Sequence, residues 1–165
     1  MLKNKMLLIF ILIIATVLFF VWQFWQNKKE IFYNTGKVCL YTQSVVGNNC
    51  FDVEIAENNF QRERGLMDRK ILDQNKGMFF VFDKEDNYSF WMKNTLIPLD
   101  IIWINQDKKI VYISENTQPC LTSWVGKTFF CPQINPQQNA KYVLEINAGL
   151  ANKLNIKLGD YVFLE

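Results

Sequence analysis

The chain opens on one long apolar block and then breaks into short runs of a different period. The twenty residues 6–25 are apolar except for Thr16 and Gln23. Wound as a helix at about 1.5 Å per residue, such a block reaches about 30 Å, the thickness of a bilayer's hydrocarbon core. Trp22 and Trp25 close it, where amphipathic rings favour the headgroup region, and Lys28 and Lys29 follow. A cleaved signal peptide is the rival reading. Its apolar region usually spans about 7–15 residues and ends in a small-x-small site, and residues 23–30 offer none. Residues 1–25 are therefore expected to be an uncleaved signal anchor, one transmembrane helix.

Past the anchor, residues 26–50 read as a polar tether whose last third, Cys39 to Cys50, is expected to close as a disulfide hairpin. Residues 51–55 then alternate apolar and acidic, the mark of a half-buried strand. Residues 78–82 and 88–92 are aromatic runs around the polar stretch 83–87, which predicts a hairpin. Residues 99–104 and 110–114 repeat that plan around 105–109, and 142–146 and 161–164 add two strands. Two short helices are expected. Asn58 or Asn59 can cap the first, on which Phe60, Arg64 and Met67 share a face. The second starts near Asn147 and ends before Gly159. Residues 115–140, with Pro119, Pro132 and Pro136, read as a long ordered loop. The expected fold class is mainly β, a β-rich α+β arrangement in which residues 51–165 form one compact antiparallel domain. That length supports a single modest core.

Charge and cysteines change the picture. Of 18 Lys and Arg, Lys3 and Lys5 precede the anchor, leaving 16 basic against 16 acidic residues beyond residue 25. A neutral domain lacks the electrostatic footprint of a nucleic-acid binder. The same near-balance around the anchor leaves its orientation to other signals. All four cysteines, Cys39, Cys50, Cys120 and Cys131, lie after it. An even count there suggests disulfides in an oxidising compartment. Three pairings are open, of which local pairing, Cys39 with Cys50 and Cys120 with Cys131, is the simplest. A loop of that size stabilises by about 3 kcal/mol in the chain-entropy model. A four-cysteine zinc site is the alternative, without the Cys-x-x-Cys spacing that favours it. The chain has no histidine, which removes the usual general base and the commonest metal ligand.

The block Phe90-Trp91-Met92-Lys93-Asn94-Thr95-Leu96-Ile97-Pro98-Leu99-Asp100 is the most distinctive in the chain. Arg64-Gly65-Leu66-Met67 and Gly77-Met78-Phe79-Phe80-Val81-Phe82 precede it, and Leu144-Glu145, Gly149 and Gly159-Asp160 follow. In this order they resemble the family called domain of unknown function 192, over residues 51–165. The resemblance implies a compact β-rich domain with a barrel-like sheet. It brings no established reaction.

Candidate chemistry is sparse. Asp100 is the one charged residue in the run 96–104, so it should be paired or protonated. Arg64 and Lys93 are the expected partners, in a structural ion pair, with a backbone cap as the other structural role. Glu115 and Glu145, read as strand ends, could join Asp100 at one rim as the catalytic carboxylates of a glycoside hydrolase, which needs two about 5–9.5 Å apart. Asn94 and Thr95 fit a turn or a ligand rim. Trp91, Trp103 and Trp124 could stack a sugar; for Trp91 and Trp103 core packing is favoured, whereas Trp124, in the loop between Cys120 and Cys131, could equally form a contact surface. Met67, Met78 and Met92 are soft ligands suited to copper but also ordinary core fillers. The ligand-binding candidates are thus Arg64, Trp91, Lys93, Asn94, Thr95, Asp100 and Trp124, with no cofactor and no metal. The expected role is a non-catalytic binding or interaction module of the cell envelope. It would be a single-pass protein of the inner (plasma) membrane with its domain on the periplasmic, extracytoplasmic side, meeting an envelope protein or glycan and no nucleic acid. A carboxylate-dependent hydrolase of envelope polysaccharide is the alternative.

Overall fold

The computed structural model describes residues 13–20, 22, 31–41, 49–120 and 130–165. The chain divides into two compact units, Met1–Phe32 and Tyr33–Glu165. In the first, residues 13–20 are helical (α1) with exposed apolar side chains. Apart from Trp22, the rest of the expected anchor lies outside the described residues. Among the described residues no helix is long and apolar enough to cross a membrane.

The second unit runs β1 (Asn34–Tyr41), β2 (Asn49–Ala56), α2 (Asn59–Arg64), β3 (Lys76–Asp86), β4 (Phe90–Trp91), β5 (Leu99–Ile104), β6 (Ile110–Thr117), β7 (Gln133–Ile134), β8 (Ala140–Asn147), α3 (Leu150–Lys153) and β9 (Tyr161–Leu164). Seven strands form one sheet in the order β6-β5-β8-β3-β2-β1-β9, and β4 and β7 make a small second one. The sheet is mixed rather than wholly antiparallel. β2 and β3 run parallel, with α2 in the connection between them, as a parallel pair requires.

The sheet curls until its two edges meet at one end. Lys109 bridges Tyr161, Ile110 N–H donates to Asp160 O at 2.9 Å, and Val162 N–H donates to Lys108 O at 2.8 Å. Side chains from all seven strands, among them Val38, Phe51, Phe79, Ile102, Ile110, Leu144 and Val162, fill the curl, with Leu150 and Ala151 of α3 packed into them. The outer face carries a second core over β3, β5 and β8, from Met78, Phe80, Ile101, Trp103 and Val143, covered by Leu66 and Met92. Strand β5 is buried along its whole length because it is covered on both faces, which is why it reads as an almost continuous apolar run.

Several expectations need correction. The hairpin predicted from 78–82 and 88–92 does not form. β3 pairs with β2 and β8, and the second run shortens to β4, which pairs with β7. Loop length allowed a hairpin, but the better partner for β3 lies 60 residues on, where β8 offers a matching two-sided apolar strand. Residues 34–41, inside the stretch read as a tether, form β1, hydrogen-bonded to both β2 and β9. Only Val38, Cys39 and Leu40 of this strand are buried, too short a run to signal a strand. Helix α3 is a single turn rather than filling 147–158. On α2, Phe60 is 60% exposed and does not anchor the helix in a core. The hairpin of β5 and β6 and the strand 161–164 are as expected. Both local disulfides form, Cys39–Cys50 across β1 and β2 and Cys120–Cys131, so among the described residues no cysteine is free for zinc.

Candidate functional site

Strand β8 sets up the site. Leu144 and Ile146 point into the curl, so Val143 and Glu145 point to the outer face. Glu145 therefore sits in the outer core, flanked by Met78 of β3 and Ile101 of β5. It is 5% exposed. No donor or cation pairs with its carboxyl among the described residues, and burial alone pushes its pKa from 4.5 up to about 8. Desolvation favours the neutral acid whenever nothing compensates the charge. Gly77 makes the close packing here possible, since a Cβ at that position would fall 2.5 Å from the Glu145 carbonyl oxygen.

Glu145 opens into a cavity of about 230 Å³. Its other walls come from α2 and the turn after it (Arg62, Glu63, Arg64, Gly65, Leu66, Met67), from β3 (Phe80, Phe82), and from the segment Tyr88 to Trp91 with Thr95. The rings interlock. Phe82 stacks on Tyr88 at 3.6 Å, and Phe90 meets Phe80 at 4.9 Å and Trp103 at 5.5 Å.

Local sequence explains how each wall is held. Asn58 and Gln61 form a capping box at the start of α2. Arg62 donates to Glu57 O at 2.8 Å, Val81 O at 2.6 Å and Asn59 Oδ1 at 2.7 Å, and lies over the Phe82 ring. Arg64 pairs with Asp68 at 2.8 Å. Gly65 ends α2 at φ 47°, a left-handed value that favours glycine, with the Phe80 ring against it. Arg69 clamps Glu54 of β2 through two bonds of 2.6 Å. The opposite wall is a turn in which Thr95 N–H donates to Met92 O at 3.1 Å and Asn94 sits at φ 55°. Asn94 and Cys120 tie that turn to the second disulfide, through Asn94 N–H to Cys120 O at 2.9 Å and Cys120 N–H to Met92 O at 3.1 Å.

The expected site residues divide cleanly. Arg64, Trp91 and Thr95 line the cavity, and Thr95 is buried. Lys93 and Asn94 line an adjoining groove of about 250 Å³ that shares Arg64, Met67 and Trp91 with it, and Lys93 Nζ lies 5.4 Å from the Trp91 ring. Trp91 is 36% exposed and forms a wall rather than core, whereas Trp103 is 0% exposed with its indole N–H on Tyr88 O at 2.8 Å. Met78 and Met92 are core residues. Trp124 lies outside the described residues.

Asp100 is elsewhere. It is 0% exposed and pairs with neither Arg64 nor Lys93. Its carboxylate accepts Ala151 N–H at 2.8 Å, capping α3 from another strand, and Asn116 N–H at 2.7 Å. The latter sits in a bulge where Glu115 and Asn116 oppose Asp100 alone. The backbone-cap role is the correct one because the nearest unsatisfied donors are helix and bulge N–H groups. Asp100 pairs in register with Ile146 and faces the curl, while Glu145 faces outward. Glu115 is exposed at the sheet edge. The three carboxylates therefore do not converge. Missed from sequence were Arg62, Phe80, Phe82, Tyr88 and Phe90 as one lining. Glu145 was also misplaced as a strand end, although a lone acid between Leu144 and Ile146 was a readable signal.

Residues 42–164 match the model of the DUF192 family, described as an uncharacterized ACR. The chain is 29% identical over 112 residues to a UPF0127 protein of Thermococcus gammatolerans, covering 67% of this chain and 64% of that protein's length. Among solved structures it is similar to a proposed transcription regulator from Sinorhizobium meliloti 1021, at 35% identity and TM-score 0.72, over 82% of this chain and 97% of the other. A protein of unknown function from Novosphingobium aromaticivorans follows at 34% identity and TM-score 0.69, over 78% and 84%. The mixed, curled sheet, the Phe90–Asp100 block and a family match across most of the domain agree, and the chain belongs to the DUF192 family.

Proposed function

We propose that this chain is a single-pass protein of the plasma membrane whose β-domain, outside the cytoplasm, is a non-catalytic binding module with the Glu145 cavity as its ligand site. One observation carries the reading: a buried carboxyl without a protein partner opens into an aromatic-walled cavity. Buried polar groups in native proteins are ordinarily satisfied, so an orphan at the floor of a pocket points to an occupant that satisfies it. The cavity is smaller than the roughly 300–1,000 Å³ typical of drug-sized ligands, so it suits a small molecule or the end of a larger one. The apolar block 6–25 and the two disulfides support the location. The neutral charge balance beyond residue 25 argues against nucleic acid as partner.

Fragment screening of the full chain in detergent micelles by ligand-observed NMR tests the site. Hits should lose binding in Trp91→Ala, with thermal unfolding establishing that this variant is folded. Hits indifferent to Trp91→Ala and Glu145→Gln would place binding elsewhere. The hydrolase reading keeps one supporting observation, since a carboxyl with pKa about 8 is suited to general-acid chemistry. The second lining carboxylate is Glu63, on the exposed side of α2. Release of soluble sugar from envelope polysaccharide, abolished by Glu145→Gln, would favour it.

A further inference from the structure

Glu145 is buried, with 5% of the residue exposed, and its side chain lines the cavity. Its two oxygens meet no protein donor among the described residues, and Phe80, Phe82, Tyr88, Phe90 and Trp91 are among the cavity's walls. The cations nearest the mouth are already engaged, Arg62 by three acceptor oxygens and the Phe82 ring, and Arg64 by Asp68. Neither pairs with Glu145 among the described residues, which leaves its carboxyl to an incoming group. A neutral hydroxyl or amide would satisfy one carboxyl oxygen and gain little from the rings. A primary ammonium supplies three donors and a full charge, and aromatic faces attract cations by about 0.5–2 kcal/mol, more where water is excluded.

We propose that the cavity takes a small organic cation, a primary ammonium on an apolar body, with its nitrogen on the Glu145 carboxylate and its body against Phe80, Phe90 and Trp91. This rests on the reading of the cavity as a ligand site and names its ligand class. Binding requires the carboxylate, so the proton held by Glu145 at neutral pH leaves as the ammonium enters. The other titratable groups facing Glu145 are Tyr33, whose phenol is itself pushed up by burial, and Arg62, Glu63 and Arg64 on α2 and at its end. The raised Tyr33 phenol keeps its proton near pH 7.

The test is calorimetric titration of the full chain in detergent micelles with three probes of one shape: 2-phenylethylammonium, 2-phenylethanol and 3-phenylpropionate. The expected result is saturable binding of the ammonium alone. At pH 7 it should release most of one proton, read from the dependence of the heat on buffer ionisation enthalpy. Glu145→Gln should weaken it by about tenfold or more, the scale of a lost charge-assisted bond. Thermal unfolding would establish that this variant is folded, and the proton release of the unmodified chain decides the matter without it. Phenylethanol or phenylpropionate binding as tightly as the ammonium, or an ammonium site without proton release, would overturn the ligand class while leaving the cavity as a ligand site. Saturation by none of the three at millimolar concentration would overturn both.

Discussion

Glu145 and Asp100 are both buried acids on adjacent, paired strands, yet the fold treats them oppositely. Asp100 has two N–H donors fixed by the backbone, and Glu145 has none. For Glu145 the folded state holds the proton more tightly than the unfolded chain, with pKa about 8 against 4.5. Such a raised carboxyl costs no stability below the unfolded value, and its cost grows as pH climbs to the folded one. At about 1.4 kcal/mol per unit this amounts to several kcal/mol by pH 8. Glu145→Gln should therefore melt with the parent near pH 4.5 and well above it at pH 8. Melting curves that stay parallel across that range would contradict the account. For Asp100, truncation to Ala leaves Ala151 N–H buried without a partner and loosens the Asn116 bulge. A buried unsatisfied donor costs about 1–3 kcal/mol, so Asp100→Ala should lose roughly 2–4 kcal/mol in urea unfolding. Asp100→Asn keeps one acceptor and should lose less. An unchanged midpoint for Asp100→Ala would remove the capping role.

At the level of elements, the cavity depends on a turn that has little regular structure of its own. β4 is two residues long and, among the described residues, pairs only with the equally short β7, too little to be stable unaided. What holds it is the Cys120–Cys131 disulfide with the bonds between Cys120, Met92 and Asn94. Replacing Cys120 and Cys131 with Ser should free that wall while leaving the sheet intact. Hydrogen exchange offers the reading: the Asn94 and Cys120 amides should exchange much faster, and those of β8 should not change. Equal acceleration throughout would mean that the disulfide supports the whole fold. The Gly77 contact works in the other direction. Gly77→Ala drives β3 from β8 at the Glu145 carbonyl, and a Cβ pressed against backbone cannot be relieved by a rotamer change. It should destabilise the sheet itself, by the roughly 1–3 kcal/mol typical of overpacking, and a urea midpoint equal to the parent's would contradict this.

For the molecule as a whole, the curled sheet solves its edge problem by bringing β6 and β9 together at Lys108–Ile110 and Gly159–Val162. The domain is thereby closed at one end, and the Glu145 cavity lies on the outer face of the sheet. The proposed topology can be checked on the intact protein. Its mature mass should retain residues 1–25, and protease added at the outer face of the membrane should cut within residues 26–165. A product shortened by the apolar block, or protection of the domain, would remove the anchored reading.

The sequence by itself determined the local things. Alternation placed a strand at 51–55, and short apolar runs bounded by polar stretches placed those at 99–104, 110–114, 142–146 and 161–164, because both patterns survive without knowledge of the partner. A cap at Asn58 or Asn59 was readable from residue type, with the structure choosing Asn58 through its bonds with Gln61, and the equal cysteine separations made the local disulfides the simplest choice. Joint motifs placed the chain in its family. Strand partners were decided only in three dimensions. β1 is specified by β2 and β9, the latter over 120 residues away, and β3 takes β2 and β8 rather than its sequence neighbour. The site followed the same division. Arg64, Trp91 and Thr95 were visible in their motifs, but whether an acid meets a donor or a cavity depends on which sheet face it occupies. Register decided that, giving Asp100 the start of α3 and leaving Glu145 to the cavity.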